Sequence, residues 1–138
     1  MSKSHFETKP CLTLAAAKNA ADAAVSAAAK SGFTVAVAVV DDGGNLLCLQ
    51  RMDQAGYGCV DACLGKARSA AMFKTPTANF QEGVQSGVMS LLTLGVLAFG
   101  GGLPIEHGGS VVGAIGVGGG SPEQDIEAAK AGIAAITA

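Results

Sequence analysis

Apolar and polar positions along this chain switch between two periods, and each switch marks an element. From Thr13 to Lys30, Leu14, Ala17, Ala21, Ala24, Val25 and Ala28 recur at helical spacing, while Lys18, Asp22 and Lys30 fall off that stripe. Thr13 is placed to cap this helix and Gly32 to stop it. Phe33 to Asp41 is rich in β-branched residues and reads as a strand. Asp42-Gly43-Gly44-Asn45 turns the chain, and Leu46 to Met52 returns antiparallel. After a loop that carries Tyr57, the helical period resumes from Cys59 to Phe73. Its stripe is Val60, Cys63, Leu64, Ala67 and Ala71, with Asp61 and Arg68 on the solvent side. Thr75-Pro76-Thr77 breaks this helix, and Thr77 is expected to cap a short third one that ends near Val84. Ser86 to Gly100 is expected to hold a helix followed by a short strand at Val96 to Phe99.

The last third has the clearest signals. Leu103 to Glu106 and Val111 to Val117 form a hairpin across His107-Gly108-Gly109-Ser110, with Pro104 near the start of the first strand. Gly118-Gly119-Gly120 then leads into a helix with Ser121 as N-cap, Pro122 in the first turn and Gln124 closing a capping box. Short antiparallel connections, with helices grouped before and after the strands, predict an α+β fold. The chain reads as a single domain over 1–138, with 1–11 a flexible N-terminal segment.

Composition narrows the function more than the fold. Charged residues make up 14% of the chain and the net charge is -2, with no basic run, so nothing marks a nucleic-acid partner. The longest apolar run, Val88 to Phe99, is shorter than the ~20 residues of a membrane span and is interrupted by Ser90, Thr93 and Gly95. The four cysteines form no CxxC pair. Free thiols and the lack of an apolar leader point to the cytoplasm.

Candidate chemistry is scattered. No GxSxG, HExxH, EF-hand loop or GK[ST] phosphate loop is present. Backbone N–H groups of Gly118, Gly119 and Gly120, at a strand end before a capped helix, are candidates to receive an anion; the same glycines also suit a plain tight turn. Lys66, Ser69 and Phe73 share one helix flank, so Lys66 either lies in solvent or meets a ligand held over Phe73. Arg51 and Lys66 are candidates to hold a carboxylate. Thr75 and Thr77 offer hydroxyls beside that flank. Asp41 is either a catalytic carboxylate or a turn residue bonded to nearby N–H groups. His107, next to Glu106 in the hairpin turn, is a candidate metal or haem-iron ligand or a general base. Met72, Met89, Cys59 and Cys63 are soft donors that core packing also explains.

VAVVDDGGNLLCLQRMD, the helix KARSAAMF with the following TPT, GGLPIEHGGSVVGAIGVGGG and the closing Asp125…Ala131-Gly132 together resemble the GlcG/HbpS family, also called the haem-degrading domain family. That family includes the C-terminal domain of PduO-type corrinoid adenosyltransferases, and the resemblance runs from about residue 12 to 137. It implies a profilin-like α/β/α sandwich around a five-stranded antiparallel sheet, assembled as a homo-oligomer from dimer to octamer. It also implies a small-ligand-binding domain that takes haem or another tetrapyrrole, or an accessory role in a catabolic operon. Gly118 stands where the family often has serine. The other reading is a small isomerase, tautomerase or hydrolase acting on a carboxylate or oxo-acid. In it Arg51 and Lys66 anchor the substrate, the glycine corner polarises an oxygen, and Glu106 or His107 moves a proton. Oligomerisation is expected from composition too, through the alanine faces of the first and last helices or through Val88–Phe99.

Overall fold

The computed structural model describes residues 4–137, so residues 1–3 of the segment expected to be flexible lie outside the described residues. In chain order the elements are α1 (Leu14–Lys30), β1 (Ala36–Asp41), β2 (Leu46–Arg51), α2 (Cys59–Phe73) and α3 (Thr77–Gln85). A 3-10 helix (Met89–Leu94), β3 (Gly102–His107), β4 (Ser110–Gly118) and α4 (Pro122–Ala134) follow. The caps fall where the side chains predict. The Ala16 N–H donates to Thr13 Oγ1 at 3.1 Å, and Ser121 and Gln124 close the reciprocal capping box.

The strands form one antiparallel sheet in the order β2-β1-β4-β3. Among the described residues it has four strands, not five. Residues 96–99 pair with no strand because their surroundings satisfy the backbone in other ways. Gly95 turns the chain at φ +76, the Leu97 N–H donates to Ser69 Oγ at 2.9 Å, and the Gly100 N–H donates to Gln81 Oε1 at 2.8 Å. A 3-10 helix stands where a helix of the α type was expected before them.

The sheet is covered on both faces. Against one face, α1 and α4 bury Ala17, Ala20, Ala21, Ala24, Ala28, Ala128 and Ala129 over Val37, Val39, Ile115 and Val117. Against the other, α2 sets Cys63, Ala67, Ala70 and Ala71 on Ala36, Ala38, Val40 and Ala114. The alanine faces expected to meet another subunit therefore meet each other within one chain. The fit is close enough that a Cβ on Gly132 of α4 would press on the Ala20 carbonyl of α1. On the opposite face α2 runs against backbone. A side chain at Gly116 would collide with the Cys63 carbonyl and the Ala67 nitrogen, and one at Gly102 with the Lys66 carbonyl.

Asp41 takes the turn role. Its Oδ1 accepts from the Gly43 N–H at 3.0 Å and the Asn45 N–H at 2.8 Å, and the bond from Asn45 is the main reason its carboxyl is held below the usual range. Thr77 does not cap α3, whose N-cap is Pro76. Its fully buried hydroxyl instead accepts the Gly102 N–H at 2.8 Å and so ties α3 to the start of β3. Among the described residues no helix is long and apolar enough to cross a membrane.

Candidate functional site

The glycine corner, Gly118 to Gly120, joins β4 to α4. Two donors at this corner are already engaged. The Gly120 N–H donates to Asp125 Oδ1 at 2.9 Å and the Ser121 N–H to Gln124 Oε1 at 2.9 Å. Lys66 lies inward beside them, with Nζ donating to Asp125 Oδ2 at 2.8 Å and to the Val117 carbonyl at 2.9 Å. The two side chains are 6% and 2% exposed, so neither lies on a solvated flank. A side chain at Gly101 would meet Lys66 Nζ. Lys66, Thr77 and Gly118 to Gly120 thus gather around one end of the sheet, and the lysine is spent on joining α2, β4 and α4. Sequence reasoning missed Asp125; its signal was a first-turn carboxylate on a helix already capped by Ser121, free to reach backwards.

Other expected residues sit apart from that knot. Thr75 Oγ1 accepts from Asn79 Nδ2 at 2.9 Å, and Phe73 packs edge-on against Phe80 with ring centroids 5.7 Å apart. Arg51 lies over the exposed Tyr57 ring at 5.5 Å, beside a shallow depression bordered by Asp53 and Gln54. Cys63 is buried and its thiol is pushed up to about 12 by burial, so it stays protonated at neutral pH. Met72 and Met89 are exposed rather than packed in the core.

The opposite end of the sheet is open. Gly108 and Gly109 take φ of +58 and +82, the two left-handed residues of a tight hairpin turn. In the β3–β4 ladder Ile105 pairs with Gly113 and Glu106 with Val111, so the register skips Val112. Ile105 and Val112 are turned towards α1 and, with Leu12 and Ile136, floor a cleft of about 520 Å³. Cys11, Glu106 and His107 line its polar side. This volume falls within the roughly 300–1,000 Å³ of small-molecule sites. Behind the hairpin, a second hollow of about 430 Å³ shares Glu106 and adds Lys74 and Ser110. There Lys9 Nζ meets Asp42 Oδ2 at 2.7 Å and pins the N-terminal segment across the end of the sheet. Asp42 holds the lysine above its usual range. The cleft wall formed by Cys11 and Leu12 was not foreseen, although an apolar residue just ahead of the Thr13 cap was a signal.

Register separates the two ends. Arg51 pairs with Ala36 and Ala36 with Gly118, whereas Ser110 pairs with His107. The eight residue steps along β4 from Ser110 to Gly118 span roughly 26 Å. Glu106 and His107 therefore share a site, and Lys66, Arg51 and the glycine corner lie outside it.

Comparison with known proteins matches this architecture. The sequence model of the family described as haem degrading protein HbpS-like matches residues 12–134. Protein GlcG of Escherichia coli K12 is 35% identical over 113 residues, which cover 81% of this chain and 84% of GlcG. The structure of a double mutant of HbpS from Streptomyces reticuli superimposes with a TM-score of 0.91 at 36% identity, covering 100% of this chain and 95% of that one. The PduOC complex with haem gives a TM-score of 0.85 at 32% identity over 93% of this chain and 96% of the other. With a match that takes in α1 through α4 and likenesses that agree in sequence and in fold, the chain belongs to the HbpS-like family.

Proposed function

We propose that this protein binds haem or a related tetrapyrrole in the hairpin cleft, with His107 as a ligand to the iron. The observation that carries the reading is the cleft itself. An apolar floor of Leu12, Ile105, Val112 and Ile136 suits the face of a macrocycle, and the one imidazole on its wall is an ordinary iron donor. The family match and the solved haem complex of PduOC support the same ligand class. Bound haem would supply an iron centre whose axial ligand and surrounding polarity set its redox behaviour. The chain's own part is to exclude water with the apolar floor and to present the imidazole. Glu106, next to His107 at the mouth, would orient the ring.

No observation favours the second, enzymatic reading. Its groups are drawn from both ends of the sheet, and Lys66 already holds Asp125.

Titration of the purified protein with haemin tests the proposal. A saturable Soret shift is expected below ~10 μM, equivalent to about -7 kcal/mol or tighter. His107→Ala is expected to move the Soret maximum and to weaken binding at least about tenfold, or ~1.4 kcal/mol. A wild-type titration with no saturation in that range rejects the reading.

A further inference from the structure

Two hollows flank the N-terminal segment where it crosses the end of the sheet. Pro10 and Glu106 line both, so the cleft and the hollow of about 430 Å³ behind the hairpin are neighbours that share a wall. Their linings differ in character. The cleft offers Leu12, Ile105, Val112 and Ile136, whereas the hollow offers Lys9, Asp42, Lys74 and Ser110. Lys9 is taken up by Asp42 at 2.7 Å. Lys74 is not, because the ion pairs among the described residues are Lys9–Asp42, Lys66–Asp125 and Lys130–Glu127. Its backbone is also out of the ordinary. Lys74 ends α2 in the left-handed conformation at φ 52 and ψ 42, with its N–H on the Ala70 carbonyl, a place that glycine usually fills. A side chain is thus kept where the backbone alone favours none, and it brings an unpaired cation to the lining of the hollow.

We infer that this hollow receives a carboxylate side chain of the ligand whose face lies in the cleft, with Lys74 as its cation and Ser110 as a hydroxyl donor. The inference rests on the tetrapyrrole reading of the cleft and narrows the ligand class within it. The site takes macrocycles with ionised acid side chains and disfavours those whose acids are capped as esters or amides. The register supports the reach. Ser110 is the ladder partner of His107, which sets their Cα atoms roughly 5 Å apart, so a group held at His107 is within one strand spacing of the hollow's hydroxyl. Charge gives the direction. Glu106 borders both spaces and Lys74 only the second, so an acid group gains by passing the glutamate and meeting the ammonium. An uncharged ester or amide gains nothing from that step. A lysine placed only to complement the C-terminal end of α2 would be indifferent to the charge of the ligand.

Parallel titrations with haemin and with haemin dimethyl ester, followed at the Soret band at one fixed ionic strength, test it. Wild type is expected to bind haemin at least about tenfold tighter than the ester, as one charge-assisted hydrogen bond allows. Lys74→Gly, which suits a φ of 52, is expected to weaken haemin about tenfold, to leave the ester within about twofold and to leave the Soret maximum unmoved. Lys74→Arg should keep the preference. Lys74→Asn, also at ease in a left-handed position, is the second neutral variant if the glycine one loses its fold. His107→Ala should move the Soret maximum and weaken both ligands while the ratio between them stays. Equal binding of haemin and ester by wild type overturns the inference and leaves the tetrapyrrole reading standing, as does a preference that neither neutral Lys74 variant reduces. If neither ligand saturates, the reading and the inference fall together.

Discussion

Lys66 and Asp125 are 59 residues apart in sequence and joined at 2.8 Å in a place water hardly reaches. Each charge there is tolerable only because of the other and because the Val117 carbonyl and the Gly120 N–H take up the remaining bonds. Lys66→Ala would leave a buried carboxylate with one backbone donor. We expect it to cost about 3–5 kcal/mol in urea unfolding, whereas Lys66→Met with Asp125→Leu should cost clearly less than the two single changes added together. A loss below ~1 kcal/mol for Lys66→Ala would show that the pair contributes little. Helical spacing did place Lys66 beside Ser69 on one flank, and both are buried. What it did not contain is the identity of the group facing that flank, because that group arrives from another helix late in the chain. Local periodicity records direction around an axis, and partners across layers leave no mark in it.

The elements that sequence located best are those whose ends are set by chemistry within a few residues. α2 runs from Cys59 to Phe73 as expected, and the hairpin turn at Gly108-Gly109 and the Ser121 capping box are each complete in four or five residues. The strand expected at Val96 to Phe99 failed for the converse reason. Its composition is strand-like, but a strand needs a neighbour, and here the Leu97 N–H goes to Ser69 of α2 and the Phe99 N–H to the Leu97 carbonyl. Gly116 illustrates how an element's role depends on absent atoms. α2 crosses β4 so closely that any side chain there meets the Cys63 carbonyl and the Ala67 backbone, neither of which can swing aside. Gly116→Ala is therefore expected to destabilise by about 1–3 kcal/mol or more, although alanine is otherwise the milder residue in a strand. Chemical denaturation with an unchanged m-value would measure it, and wild-type stability in that variant would mean that α2 can withdraw at no cost.

At the scale of the whole molecule the sheet keeps two tasks at opposite ends. One end is closed by the Lys66–Asp125 knot beneath the glycine corner, and the other opens into the cleft beside His107. The sequence had pointed to residues at both ends, and the antiparallel register places them roughly 26 Å apart along β4. Groups that far apart with no shared partner should act independently. Lys66→Ala ought therefore to lower stability while leaving haemin affinity of the folded protein within about twofold of wild type, the change that ~0.4 kcal/mol of coupling allows. His107→Ala, exposed at the end of β3, ought to do the reverse, weakening haemin while shifting stability by no more than ~0.5 kcal/mol. In the double variant the two effects should add. Haemin titrations under conditions where circular dichroism shows each variant fully folded decide the matter. A tenfold loss of affinity in folded Lys66→Ala would mean that the knot and the cleft communicate, and that Lys66 belongs to the ligand's surroundings after all.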